Sequence, residues 1–289
     1  MWATNYYLLF AFGAMILWAF GDFFIQKAAR KIGDLETLAF IGILGSLALF
    51  PFVARDLPNI FSFETVFLLV FLGLITFIAA IIDFEALKIS KLSAVDIVME
   101  IELPITIALS YFFLHEKLSV IQISIILIII AGTFLIATDS WSNWKLKLEK
   151  GIMMAFLAAI GMGLVDFFTS VSSRNISPVM AVWFPWLVFS ILCLVFLYKR
   201  KGLKKFLAHS GEFKWLVLAL AIFDTLAWLF YALATQKEKV GITLAITEAY
   251  PAIALFLGLW FNKEKINWHQ GVGAGLALVG SVVLAFFVS

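Results

Sequence analysis

Ten apolar runs, most of them 19–24 residues long and separated by short polar or charged punctuation, decide what this chain folds into. They lie at about Tyr6–Ala29, Leu35–Ala54, Thr65–Leu87, Ala94–Leu114, Val120–Thr138, Gly151–Val171, Pro178–Tyr198, Lys214–Thr235, Gly241–Phe261 and Gln270–Val288. Runs of that length cross a hydrocarbon layer of ~30 Å at about 1.5 Å per helical residue. In lipid each segment must satisfy its own backbone, so the spans are helices. A barrel needs short alternating strands, and IQISIILIIIAGTFLIA (Ile121–Ala137) does not alternate. With 63% hydrophobic and 14% charged residues, little chain remains for a soluble domain. The expected architecture is an all-α, multi-pass protein of the cell membrane with ten transmembrane helices. The N-terminal MWATNYYLLF lacks the basic region of a signal peptide, so the first span is expected to be retained.

The ten runs repeat as five plus five. AFGAMILWAFGDFFIQKAARKI (Ala11–Ile32) aligns without gaps on AFLAAIGMGLVDFFTSVSSRNI (Ala155–Ile176), with Asp22–Phe24 on Asp166–Phe168. Ala86-Leu87 then matches Ala232-Leu233, Pro104 falls near Pro251, HEKLSVIQ (His115–Gln122) matches KEKINWHQ (Lys263–Gln270), and Gly132 matches Gly280. The halves are residues 1–147 and 148–289. Because five is odd, each half crosses the membrane in the opposite sense. That makes an inverted-topology repeat, an architecture whose halves can rock around a site near the midplane.

These pieces resemble the EamA-type members of the drug/metabolite transporter superfamily. The likeness rests on WAFGDFFIQK (Trp18–Lys27), the Ala-Leu pairs ending spans 3 and 8, and the prolines of spans 4 and 9. The turns at Glu116 and Glu264, each followed by Gln six residues on, complete it. The resemblance covers essentially the whole chain and implies a ten-helix secondary transporter, often an exporter of amino acids, amines or other small metabolites. The chain departs from many relatives in carrying Asp at position 22 rather than Asn. It also lacks an arginine in span 2, which argues against anionic substrates.

Carboxylates inside spans are the informative residues, since each costs several kcal/mol unless paired, hydrated or neutralised. Asp22, Asp83, Glu85, Asp96, Glu100, Glu102, Asp166, Asp224 and Glu248 lie within spans or near their ends, whereas basic residues sit only at span ends. Such an imbalance suits proton coupling or a cationic substrate. On a continuous helix Asp96, Glu100 and Pro104 share one face, and Glu102 points about 160° away. Keeping the Glu116/Glu264 register puts Glu248 level with Glu100, with the prolines one position apart. Asp22 and Asp166 fall toward opposite membrane faces, where gates are expected; the alternative is that each caps its helix end by bonding Lys27 or Ser/Thr neighbours. Asp224 lies deep in span 8, and at least one of Asp83 and Glu85 is expected to be merely interfacial.

Trp18, Trp183, Trp186, Trp228 and Tyr250 lie within spans and can form a cation–π cage or serve as ordinary packing. Pro104, Pro185 and Pro251 are candidate kinks that free backbone carbonyls. Gly271 and Gly275 form a G-x-x-x-G suited to close packing, within the molecule or across a weak dimer. The lone Cys193 is expected to be a buried packing thiol. His115, His209 and His269 are expected in loops and are not at metal-ligand spacing. No cofactor, metal site, enzyme motif or nucleic-acid footprint is expected.

The residues therefore predict a secondary transporter, exporting or otherwise moving a small amine-bearing metabolite such as an amino acid or quaternary ammonium compound, by alternating access and with proton exchange. Two alternatives stand beside it: a carrier of neutral or amphipathic solutes whose acids serve only protons, and a non-transporting membrane scaffold. Loops 1–2, 3–4, 5–6, 7–8 and 9–10 hold 16 of the 21 Lys and Arg, and the other loops hold 5. By the positive-inside rule those richer loops are cytoplasmic and both termini lie outside. The family resemblance implies the reverse.

Overall fold

The computed structural model describes residues 6–54, 56–57, 62–89, 95, 98–137, 150–261 and 267–287. The helices are α1 (Tyr6–Ile32), α2 (Asp34–Val53), α3 (Phe63–Ile89), α4 (Glu102–Phe113), α5 (Val120–Ala137), α6 (Lys150–Asn175), α7 (Pro178–Lys199), α8 (Leu203–Glu212), α9 (Lys214–Thr235), α10 (Val240–Thr247), α11 (Tyr250–Phe261) and α12 (Trp268–Phe286). Eight segments are long and apolar enough to cross a membrane, α10 and α11 counting together, and Glu102–Phe113 and Val120–Ile136 are shorter apolar helices. These are the ten transmembrane segments of two inverted five-helix repeats. The boundary between the repeats, at residues 147/148, lies outside the described residues, as does Asp96.

Helix order alone fixes two faces. The chain ends and the turns after α2, α4, α6 and α9 share one, the terminal face; the α1–α2, α7–α9 and α11–α12 connections share the other. Contacts agree: the Gln122 amide nitrogen donates to the Phe287 carbonyl (2.6 Å) and Ser177 donates to Asp56 (2.5 Å) at the terminal face. At the opposite face the Gln270 amide donates to the Ile136 carbonyl (3.0 Å). The two glutamines of the repeated turns therefore do the same work. Each side-chain oxygen accepts from the backbone N–H three residues earlier, Ser119 or Asn267, completing a helix N-terminus. Each amide nitrogen then ties α5 to α12, one helix from each repeat.

The most extensive packing likewise joins the repeats, as α1 on α9, α3 on α6, α2 on α7 and α5 on α12. A Cβ on Gly132 would sit 2.7 Å from the Gly273 carbonyl, and one on Gly273 would sit 2.5 Å from the Gly132 carbonyl, so the α5–α12 seam needs glycine on both sides. Gly271 and Gly275 face outward instead, with nothing within 4 Å of a Cβ on Gly275. The G-x-x-x-G spacing is thus not the packing seam; Gly273 and Gly280, on the other side of α12, are.

Three expectations change. Spans 4 and 9 are not continuous helices: each breaks into turn, at residues 100–101 and 248–249, before resuming as α4 and α11. The loop between spans 7 and 8 contains α8, whose Phe206 is buried and stacks on Phe40 at 4.2 Å while Lys204 and Lys205 stay exposed. His209 and His269 lie on helices and are buried, whereas His115 does lie in a loop. Cys193 is a free, fully buried thiol.

Candidate functional site

The two breaks meet at the centre. In span 4 the Ile101 N–H turns back to Val98 (3.2 Å), and in span 9 the Ala249 N–H turns back to Ile246 (3.3 Å), each a three-residue closure in place of the α-helical four. Pro104 and Pro251 lie just beyond, where a missing N–H and a ring clash discourage an unbroken helix. Glu100 and Glu248 occupy the same position in the two breaks. The sequence register that paired them is the one the backbone follows, and the proline offset of one residue lies outside it.

Around these breaks opens a cavity of about 340 Å³. Seven carboxyl side chains line it, Asp22, Asp83, Glu100, Glu102, Asp166, Asp224 and Glu248, and among the described residues no Lys, Arg or His does. The acids form two linked groups. Asp83, Asp224 and Glu248 lie within electrostatic reach of Asp22, whose carboxyl is also hydrogen-bonded by Tyr250. Glu102 is hydrogen-bonded to Glu248, with Asp166 and Glu100 beside them.

Beside Asp22 and Asp224 stand three tryptophans. Trp18 meets Trp228 edge-on at 5.2 Å, and Trp186 meets Trp228 at 5.8 Å. Tyr231 packs behind them, 5.7 Å from Trp18 and fully buried. Its hydroxyl donates to the Asp166 backbone carbonyl and lies 3.2 Å from the Ser170 hydroxyl. The rest of the lining mixes the polar Gln26, Thr76, Thr133 and Gln270 with apolar side chains such as Leu38, Met162 and Phe189.

Of the residues singled out from sequence, the structure gathers Asp22, Glu100, Glu102, Asp166, Asp224, Glu248, Trp18, Trp186, Trp228, Tyr250 and Pro251 around one cavity. Glu102 does not point away from Glu100, because the turn at 100–101 cancels the helical phase from which that separation was reckoned. Asp22 and Asp166 are displaced toward opposite faces, but only slightly. Each is the seventeenth residue of a helix of 27 or 26 residues, about 5 Å past the middle, so both reach the centre. Lys27, the proposed cap partner of Asp22, instead lies over the Phe23 ring at 5.9 Å.

Trp183 is outside the cavity lining: one turn nearer the terminal face than Trp186, it donates to the Ser46 carbonyl (3.0 Å). Pro104 is also outside the lining, and α7 continues as helix through Pro185. Sequence reasoning undervalued Asp83, which joins the cavity while Glu85 does not. The available signal was that Asp83 lies four residues past Ala79 and three past Ala80, on a run facing α6. No three His, Cys, Asp or Glu side chains among the described residues are arranged to hold a metal ion.

This architecture has relatives. A solved crystal structure superposes over 98% of this chain and 97% of its own with a TM-score of 0.75 at 17% identity, which shows a shared fold. An uncharacterized protein of Methanocaldococcus jannaschii is 27% identical over 146 residues, covering 98% of itself and 48% of this chain. An uncharacterized transporter of Helicobacter pylori is 24% identical over 136 residues, 45% of its own length and 47% of this chain's. The model of the EamA-like transporter family matches residues 5–138 and again residues 149–286. The chain is a multi-pass integral membrane protein and belongs to the EamA-like transporter family.

Proposed function

We propose that this transporter carries a small cationic, amine-bearing metabolite by alternating access, and exchanges it for protons at the same carboxylates. One observation supports the reading above the others: seven carboxyl groups share a cavity that no described basic side chain enters. Ionised carboxylates withdrawn from water each cost several kcal/mol, and a cation or a proton relieves that cost. The same surroundings repel an anion. Trp18, Trp186 and Trp228 supply aromatic edges and faces beside Asp22 and Asp224, and a cation over such a face gains roughly 0.5–2 kcal/mol. The Glu102 and Glu248 carboxyls lie together and repel when both are charged, a cost that a shared proton relieves. Entry of an ammonium group displaces that proton without leaving the pair uncompensated. A cavity of about 340 Å³ lies at the small end of ligand pockets, the size for a metabolite rather than a peptide.

The test is flux. Purified full-length protein in liposomes, offered labelled amines and amino acids, is expected to move an amine in response to an imposed pH gradient and to leave carboxylic acids behind. Flux of an uncharged solute alone, with pH dependence intact, would assign the acids to protons only. No flux across the panel would return the scaffold reading. Orientation has its own test. A reporter fluorescent only in the cytoplasm, fused to Ser289, is expected to stay dark in intact cells if the Lys/Arg-rich loops are cytoplasmic.

A further inference from the structure

The cavity runs from the middle of the bundle toward the face opposite the termini. Gln26 and Asp83, near the ends of α1 and α3, line it, and so does Gln270, at the start of α12. On the terminal side lies a polar ladder, buried as far as Ser173 and half-buried at Arg174. Below Tyr231, the Ser173 hydroxyl donates to the Ala232 carbonyl (2.5 Å), and Arg174 follows in the last turn of α6. Its guanidinium uses all three nitrogens: Nη1 on Glu116 Oε1 at 2.7 Å, Nε on the Thr235 carbonyl at 2.7 Å, and Nη2 on the Glu238 carbonyl at 2.6 Å. The other oxygen of Glu116 accepts the Val240 N–H at 2.8 Å. A cation therefore meets the carbonyl that ends α9 and one from the connection beyond it, and an anion meets the N–H at the start of α10. Each sits where the helix dipole favours it.

The arginine of this pair has a counterpart in the first repeat in a different condition, whereas Glu264, the counterpart of Glu116, lies outside the described residues. Arg30 occupies the place of Arg174 in the aligned segment AARKI/SSRNI, at the face toward which the cavity runs. It is exposed, and among the described residues it makes no hydrogen bond or ion pair. One arginine is locked and its counterpart is loose.

We propose that Arg174 and Glu116 are the seal that shuts the cavity from the terminal face, and that opening this face requires their contacts to separate. The proposal rests on the alternating-access reading but not on the identity of the substrate. It adds residues that no cavity contact would have disclosed. Its coupling to the site is short: α10 runs about 12 Å from the N–H held by Glu116 to Glu248, and α4 runs from Glu102 to the turn that carries Glu116. Two short helices are thus clasped at both ends, by the Glu102–Glu248 contact at the centre and by Glu116 at the face. A cation or proton that changes the central clasp pulls on the outer one.

The test uses the full-length protein in liposomes with Cys193→Ala, which removes the single thiol, and Ser170→Cys as a reporter beneath the cavity floor. A membrane-impermeant maleimide applied at the terminal face is expected to label this parent slowly. Adding Arg174→Ala is expected to raise the rate about tenfold or more, since a tenfold shift between closed and open forms takes only ~1.4 kcal/mol. Arg174→Lys keeps the charge but loses the fork, and is expected to fall between. The exchange Arg174→Glu with Glu116→Arg turns an anion toward the Thr235 and Glu238 carbonyls and a cation toward the Val240 N–H, and is expected to label as fast as Arg174→Ala. Circular dichroism and melting curves identify a variant that has unfolded, and Glu116→Gln, which keeps an acceptor for Val240, then replaces Arg174→Ala. Unchanged labelling in folded Arg174→Ala and Glu116→Gln proteins would overturn the seal. A parent whose labelling never responds to pH or amine would instead defeat alternating access, whatever the variants do.

Discussion

Residues 11–32 and 155–176 align without a gap, yet their last turns live in different worlds: Arg174 is held by three contacts and Arg30 is exposed. The breaks at residues 100–101 and 248–249, also equivalent, sit side by side around one cavity. An inverted repeat in any single state must be asymmetric somewhere, because only one face is open at a time. Equivalent residues that share an environment therefore mark what both states keep, and equivalent residues that differ mark what moves. By that criterion Glu100 and Glu248, Asp22 and Asp166, and the Gln122 and Gln270 ties belong to the fixed frame, whereas Arg30 and Arg174 belong to the moving parts.

The largest expected effect strikes the shared centre. Glu248→Gln and Glu100→Gln are both expected to abolish proton-coupled transport while leaving expression and melting behaviour near those of the parent. Losing one partner of a desolvated charge contact costs about 2 kcal/mol or more, at least roughly 30-fold in affinity for a cation. Titrating amine binding by thermal shift and measuring flux checks both. If one variant transports normally, the two breaks are not functional equivalents.

Next in size is the α5–α12 seam, which the comparison assigns to the frame. Gly273→Ala would press a methyl to 2.5 Å from the Gly132 carbonyl and 3.0 Å from the Ile136 nitrogen. Backbone on both sides cannot yield as a side-chain tip would, so a loss of about 1–3 kcal/mol is expected, read as a melting temperature lower by several degrees. Gly132→Ala is expected to behave alike, since its methyl would meet the Gly273 carbonyl and the Ala277 nitrogen, each at 2.7 Å. A tolerated substitution at either position would make this seam a sliding surface rather than a fixed one.

The frame was largely legible in the sequence, and the reasons are physical. Span length is imposed by the bilayer, so ten runs bounded by charge or glycine predicted helix ends to within about four residues wherever the helices are continuous. Repeated punctuation survived because it does repeated work, as the two capping glutamines show. What stayed hidden depends on three dimensions. The turns at 100–101 and 248–249 contain no glycine or proline of their own, so a continuous helical phase was assumed, and Glu102 was sent to the wrong side. Depth separated Trp183 from Trp186, although three residues put them on nearly one face. Helix α8 was concealed by its lysines: Leu203, Phe206 and Leu207 do recur at helical spacing, but the cluster reads first as a charged loop.

A smaller effect is expected from the aromatics, where the comparison predicts a difference between repeats. Trp18 and its counterpart Met162 both line the cavity, yet only Trp18 adjoins the tryptophan cluster. Replacing Trp18 by Leu removes one aromatic face, so the concentration of amine for half-maximal transport is expected to rise about 2- to 30-fold, matching ~0.5–2 kcal/mol. Met162→Leu conserves volume and is expected to stay within about twofold. Equal effects at the two positions would mean that the cage is simple packing and that the carboxylates alone select the cation.

The smallest expected effect lies on the outer side of α12, and its value is diagnostic because it is small. Gly271 and Gly275 have the spacing of a helix-pairing motif, but they face away from the bundle, and a methyl on Gly275 meets nothing within 4 Å. On a surface that touches only lipid, Gly275→Ala removes backbone freedom from the unfolded chain and adds no clash. Stability is then expected to hold or to rise by at most about 1 kcal/mol. The contrast with Gly273→Ala, two residues away on the same helix, separates the seam between repeats from the lipid-facing side. If two copies instead pair through this outer stripe, the added methyl holds their backbones apart, as small-residue contacts between membrane helices do not tolerate bulk. Light scattering of the detergent-solubilised protein decides: one unchanged mass for parent and Gly275→Ala keeps this face for lipid, whereas a parent dimer that the substitution dissociates places the stripe at an interface between copies.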